Sequence, residues 1–151
     1  MSVAEYMAPE TVICPYCQNP AVYLESSESV YHGRDYGPMY RCEPCDAHVG
    51  VHPGTTKPLG RMANKELREW KMRAHAAFDP IWQARFDLKR AQDPKYTRGM
   101  ARGGRYKKLA GLLGIERKDC HIGHFDVDQC KQVIAICQSG ALEDKVINKR
   151  A

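Results

Sequence analysis

Cys14-Pro15-Tyr16-Cys17 and Cys42-Glu43-Pro44-Cys45 decide the reading of this 151-residue chain. Twenty-four residues separate the two C-x-x-C pairs. Each pair has the length of a tight turn that points two thiolates at one ion, and two such turns complete a tetrahedral site of four sulfurs. Cys14, Cys17, Cys42 and Cys45 are therefore assigned as the ligands of one structural zinc ion. Four protein ligands leave no position open for water or substrate, so this metal is a staple and not a catalyst. Two disulfides or four unrelated thiols are the competing readings, and the doubled spacing argues against both.

The residues between and after the pairs fit that frame. Residues 21–25 read as a strand, 26–28 as a turn, 29–32 as a second strand and 33–37 as another turn. Residues 38–41 then return as a strand that delivers Cys42 beside Cys14. This is the order of a zinc ribbon, with Val22, Tyr23, Val30, Tyr31 and Tyr40 on the apolar face of a small sheet. Residues 47–52 form the last strand, where the period of two places His48 and His52 on one face. Either imidazole is an alternative ligand in a mixed zinc site. Residues 53–60 have turn chemistry throughout.

From Asn64 the hydrophobic period becomes helical. Asn64 caps a helix that carries Leu67, Trp70, Met72, Ala74 and Phe78, and Asp79-Pro80 reads as the cap and first position of another helix with Ile81, Trp82, Phe86 and Leu88. Residues 105–113, with Tyr106, Leu109, Leu112 and Leu113, form a third helix ending at Gly114. A fourth begins at Asp126, with Gln129 reaching back and Cys130, Val133, Ile134 and Cys137 along one face. The expected fold is α+β, an N-terminal four-cysteine zinc ribbon followed by about four helices. The segments are a zinc lobe at 1–60, a helical pair at 61–91, a flexible basic linker at 92–104 and a helical hairpin at 105–151.

Charge divides the chain. Residues 1–60 hold three Lys/Arg against seven Asp/Glu, and residues 61–151 hold twenty against eleven. The densest positive stretch is 95–118, where Lys95, Arg98, Arg102, Arg105, Lys107, Lys108, Arg117 and Lys118 face the single acid Glu116. Those eight side chains are the candidate contacts to the phosphates of DNA or RNA, and Tyr96 and Tyr106 are candidates for stacking on unpaired bases. The competing reading is a solvated linker kept soluble by its charge.

Two patterns near residue 121 need weighing. His121-Ile122-Gly123-His124 spells a motif of class I aminoacyl-tRNA synthetases, but no parallel-sheet pattern precedes it and the chain is too short for that catalytic domain. Cys120, His121, His124 and Cys130 contain metal-ligating groups, yet Cys130 and Cys137 stand seven apart on one helical face, as core cysteines do. The expectation is one zinc ion and no second metal. The N-terminus lacks a basic segment followed by an apolar run, and the apolar stretches near 109–115 and 133–137 are too short for a bilayer. The expected location is cytoplasmic, with no membrane partner.

Two stretches resemble a family of small zinc-finger-containing proteins of tailed phages and prophages. The first runs through Cys45-Asp46-Ala47-His48-Val49-Gly50-Val51-His52, Pro58-Leu59-Gly60, Leu67-Arg68 and Ala74-His75 to Phe78-Asp79-Pro80-Ile81-Trp82. The second comprises Tyr106, Leu109-Ala110, Leu113-Gly114-Ile115, His121-Ile122-Gly123, Phe125-Asp126 and Cys130. The resemblance implies a phage or prophage origin, a bacterial host cytoplasm and a zinc-bearing accessory role. It also marks His75 and His121 as motif positions. The leading expectation is a non-enzymatic protein that binds nucleic acid through its basic second half. The alternative is a phage protein that binds and inhibits or redirects a host protein such as a polymerase, nuclease or defence complex. A metal-dependent nuclease using His75, His121, His124 and Asp126 is the lesser one, since no motif sets a general base beside an activated nucleophile. No residue is assigned as catalytic. His48, His52, His75, His121 and His124 are the remaining candidate functional residues.

Overall fold

A computed structural model describes residues 10–143. The chain divides into two compact units, Met1–Arg68 and Glu69–Ala151. The division falls eight residues beyond the composition boundary at residue 60, because Arg68 is bound into the first unit. Its guanidinium donates to the backbone oxygens of Asp46 and Ala63, both at 2.8 Å, and meets the Asp46 carboxylate at 3.1 Å.

The first unit is built on a three-stranded antiparallel sheet of β1 (Val22–Leu24), β2 (Met39–Cys42) and β3 (Ala47–Gly50), in that spatial order. Tyr40 lies opposite Tyr23 on one side and Val49 on the other, and Cys42 lies opposite Ala47. Alternation along β2 sends Tyr40 and Cys42 to the same face, where they join Cys14, Ala47, Val49 and Met62 in a buried cluster. The phenol of Tyr40 is satisfied by the carbonyl of Thr56 at 2.7 Å. With four cysteines lying in or against so small a core, a metal is needed to supplement it.

The strand expected at 29–32 does not form, and those residues turn instead. Ser27 and Asp35 capture the local backbone. The Ser27 carbonyl accepts from the N–H groups of Val30 and Tyr31, its hydroxyl accepts from Tyr36, and the Asp35 carboxylate accepts from Ser27 and Gly37. Serine and aspartate offer the chain these bonds in place of a sheet ladder. The hydrogen bonds from Gly37 and then Ser27 hold the Asp35 carboxyl below its ordinary range. Any stability this adds is present above the unfolded carboxyl pKa and is lost as the pH falls through the lower folded value.

Three α-helices are present among the described residues, α1 (Lys65–Arg90), α2 (Arg98–Leu113) and α3 (Val127–Gln138). Asn64 caps α1 as expected, its side-chain oxygen accepting the Leu67 N–H at 3.0 Å. The helical pair expected at 61–91 is instead one helix of 26 residues with Pro80 inside it. The apolar stripe explains the continuity. Ala74, Phe78 and Trp82 recur at helical spacing across the proline and are all buried, so a break there would strip that stripe from the core. Pro80 still leaves the Ala76 carbonyl without its helical donor. Pro80→Ala is therefore expected to stabilise the second unit by about 2 kcal/mol. That figure is the roughly 3 kcal/mol cost of an interior proline less about 1 kcal/mol of unfolded-chain freedom regained. Denaturation of the zinc-loaded protein, followed by the fluorescence of Trp70 and Trp82, measures it.

The flexible linker expected at 92–104 is likewise corrected. Helix α2 begins at Arg98, and Thr97 caps it by accepting the Met100 N–H at 3.1 Å. Gly99, Gly103 and Gly104 lie within the helix, at a propensity cost near 1 kcal/mol each, which the fully buried Ala101 and the Tyr106, Leu109 and Ala110 stripe offset. The ends of the other elements follow the sequence. Gly114 closes α2 with φ 72°, and Asp126 and Gln129 form a reciprocal capping box on α3. Short 3₁₀ turns at Arg117–Asp119 and Ile122–His124 fill the connection between α2 and α3. No helix among the described residues is long and apolar enough to cross a membrane.

Candidate functional site

The two knuckles of the first unit fold alike. Each C-x-x-C turn is followed by a residue in the left-handed region, Gln18 at φ 65° and Asp46 at φ 50°. That conformation reverses the chain within one residue of the second cysteine. The reversal lets Gln18 N–H return to the Cys14 carbonyl at 2.9 Å, and the Asp46 N–H to the Glu43 carbonyl at 3.0 Å. The first knuckle closes onto Ala21 and the second onto β3, so the sheet register sets the distance between them.

That register brings all four sulfurs within 4.8 Å of one another, with Cys17 Sγ and Cys42 Sγ at 3.6 Å. A zinc–sulfur bond of about 2.3 Å implies a tetrahedron edge of about 3.8 Å, so the donor set fits the ion. A backbone hydrogen bond from Asn19 brings the Cys17 thiol down to about 7, whereas burial and then the neighbouring sulfurs push Cys45 up to about 12, so Cys17 is the sulfur that most readily supplies a thiolate. One structural zinc ion is held by Cys14, Cys17, Cys42 and Cys45. Among the described residues no fifth Cys, His, Asp or Glu joins the cluster. His48 is buried against the ring of Tyr31, with centroids 5.7 Å apart, and His52 is exposed beyond the end of β3. The strand expected over 47–52 ends at Gly50, with an isolated bridge from Val51 to Pro58 beyond it.

The three other cysteines lie in the second unit. Cys120, Cys130 and Cys137 are buried, and burial raises all three thiols, Cys137 to about 11. They fill core positions, as the seven-residue spacing of the last two implied.

The second unit holds a cleft of about 390 Å³ that the sequence motifs only partly announced. Helix α1 contributes His75, Asp79 and Trp82, α2 contributes Gly99, Arg102, Gly103 and Tyr106, and the following connection contributes Arg117 and His121. Trp82 Nε1 donates to Asp79 Oδ1 at 3.0 Å, and His75 Nδ1 stands 3.5 Å from Asp79 Oδ2. Each carboxylate oxygen thus has a neighbour on its own helix. Across the cleft, the Arg117 guanidinium lies 5.3 Å from the Tyr106 ring centroid and donates to the Cys120 carbonyl at 3.4 Å. His121 tilts against the same tyrosine at 5.3 Å. Burial, followed by the charges of Arg117, His124 and Arg102, holds the His121 imidazole below the usual histidine range.

The predicted phosphate contacts are dispersed. Lys95, Arg98, Arg102, Lys107 and Lys118 are exposed, Lys118 beside Glu116 at 3.2 Å. Arg98 covers the Phe86 ring at 4.6 Å, and Arg105 donates to the Leu142 carbonyl at 2.7 Å. Lys108 and Arg117 are half-buried. The stacking role expected of Tyr106 is excluded by its packing, since its ring is buried with its centroid 4.4 Å from that of Phe78. Tyr96 lies over Phe86 at 6.4 Å. His124 is exposed, 5.7 Å from His121 between ring centroids, and Asp126 is occupied as a helix cap. Sequence reading missed Asp79, Trp82, Gly99 and Gly103. The i, i+4 spacings of His75 with Asp79 and of Gly99 with Gly103 carried the signal, but they were legible only once each pair was known to share one unbroken helix.

No curated protein and no solved structure matches the chain. A family model described as a zinc-finger-containing domain matches residues 10–140, which include both knuckles, the cleft and all three helices. The chain belongs to this family of zinc-finger-containing domains.

Proposed function

We propose that this chain is a non-enzymatic, phage-type accessory protein that binds DNA or RNA through its second unit, with the zinc unit as a folded support. One observation carries the reading. Helix α2 holds Arg98, Arg102, Arg105, Lys107 and Lys108 and not a single carboxylate, and no Asp or Glu occurs from residue 94 to 115. A helix whose only charges are positive attracts a polyanion and gains from the counterions released when phosphates are neutralised. Replacing the expected loop by a helix strengthens the argument, because the cations are held at fixed spacing and lose less freedom on binding.

Binding to an oligonucleotide of mixed sequence is expected to weaken steeply with salt. The slope of log affinity against log salt should lie near −0.9 per duplex phosphate neutralised, or about −0.7 on a single strand. Arg98→Ala together with Lys107→Ala should make that slope shallower by about 1–2. Fluorescence anisotropy at several salt concentrations gives both numbers. Absence of binding at low salt would sink the proposal.

A further inference from the structure

The cleft of the second unit has a composition that the nucleic-acid reading does not by itself require. The stripe of α2 that carries the buried Tyr106 and Ala110 continues toward the helix start as Gly103 and Gly99. Where the first two residues fill the core, the glycines leave a hollow. Apart from the backbone of its own helix and its chain neighbours, the nearest atom to a Cβ at Gly103 would be Arg117 Nη2 at 3.9 Å, and to one at Gly99 it would be Thr97 Oγ1 at 3.9 Å. The hollow is therefore not demanded by close packing.

Its walls are cationic. Arg102 and Arg117 make no ion pair with a carboxylate among the described residues, and His75 and His121 add two imidazoles. Asp79 is the one acid among the lining residues, and the Trp82 indole and His75 engage both of its oxygens. Two guanidinium forks and two imidazoles lining one cleft supply the donors that a tetrahedral oxyanion takes. Burial first, and then the charges of Arg117, His124 and Arg102, lower the His121 imidazole.

We infer that the cleft between His75, Arg102, Arg117 and His121 is a binding site for a phosphate group. The inference deepens the nucleic-acid reading by naming the chemical group the second unit takes up. His75 and His121 hydrogen-bond the phosphate oxygens, Arg102 and Arg117 neutralise their charge, and Asp79 keeps the His75 ring in position. The phosphate belongs either to a strand terminus or to an internal diester, and both present the same oxygens.

Titration of the full, zinc-loaded chain with inorganic phosphate, followed by the histidine ring protons in NMR, provides the test. The chain has six histidines, so His52, exposed in the first unit, serves as the internal control. The expected result is saturable movement of the His75 and His121 signals with little movement of His52. Arg102→Gln should weaken the site about tenfold, the effect of losing one hydrogen bond to a charged group. Gly103→Met fills the hollow without removing a charge and should abolish the response while α2 remains folded by circular dichroism. His75 and His121 signals that move no more than His52, or variants that titrate like the parent, overturn the inference.

Oligonucleotides with a 5′-phosphate and with a 5′-hydroxyl then separate the sources. Tighter binding of the phosphorylated strand, lost in Arg102→Gln, assigns a terminal phosphate. Equal binding that Arg102→Gln weakens equally assigns a diester. The two readings fail separately. Strands that bind the parent and Arg102→Gln alike, with His75 and His121 unmoved, remove the cleft and leave the nucleic-acid reading. Phosphate that binds while neither strand does removes that reading and leaves the cleft.

Discussion

Removing the zinc is expected to unfold the first unit. Both knuckles, the second of which is the β2–β3 turn, are held by the same four sulfurs, which lie within 4.8 Å of one another. Without a cation, four thiolates at that separation repel one another, and protonated thiols have little to hold them together. Cys14 and Cys42 are also part of the buried cluster under the sheet, so losing the ion loosens the core itself. Structural zinc contributes on the order of 10 kcal/mol of apparent binding free energy at neutral pH, more than the whole stability of many small domains. Chelation, or Cys42→Ser, should collapse the dispersed amide signals of β1, β2 and β3 in a heteronuclear NMR spectrum, while those of α2 and α3 persist. Elemental analysis should find one zinc per chain before chelation and none after. Dispersed strand signals in verified zinc-free protein would refute the assignment.

The second large effect is expected at Phe78. Its side chain is fully buried on α1 and packs against Tyr106 of α2 with ring centroids 4.4 Å apart. Truncation to alanine removes the transfer free energy of the ring and leaves a cavity, together about 3–5 kcal/mol. The lost aromatic pair is part of that figure, at about 0.5–1.5 kcal/mol beyond area burial. Tyr106 also backs the phosphate cleft, so the same substitution should loosen Arg117 and His121, which lean on its ring. Urea unfolding of the zinc-loaded protein, followed by tryptophan fluorescence, measures the loss. Leu112→Ala is the control. Leu112 lies on the same helix as Tyr106 but is half exposed, and its truncation should change stability by less than about 0.5 kcal/mol. Equal effects of the two substitutions would show that Phe78 is not a core residue.

The features read directly from the sequence share a physical character, in that each depends on residues close together in the chain. A C-x-x-C turn, the Asn64 cap, the Asp126–Gln129 capping box and the left-handed Gly114 are closed by bonds spanning three to five residues. The failures share one as well. A short β-branched and aromatic run at 29–32 satisfies strand propensity, yet the Ser27 and Asp35 side chains make turn formation more favourable. Pro80 signals a helix start by local rules, and three glycines near residue 100 signal a loop. Burial of Phe78, Trp82 and Ala101 overrides both signals, and burial is a tertiary quantity.

By itself, then, the sequence determined the zinc ligands, the α+β order of ribbon and helices, and the positive charge of the second half. Ligand spacing, helix caps and charge are properties of short stretches, independent of what the rest of the chain does. Only the tertiary structure decided that the basic segment is a helix, that Tyr106 is core, and that His75, Arg102, Arg117 and His121 line one cleft. Those residues come from parts of the chain up to 46 positions apart. Nothing local brings them together; packing of α1 with α2 and the connection that follows it does.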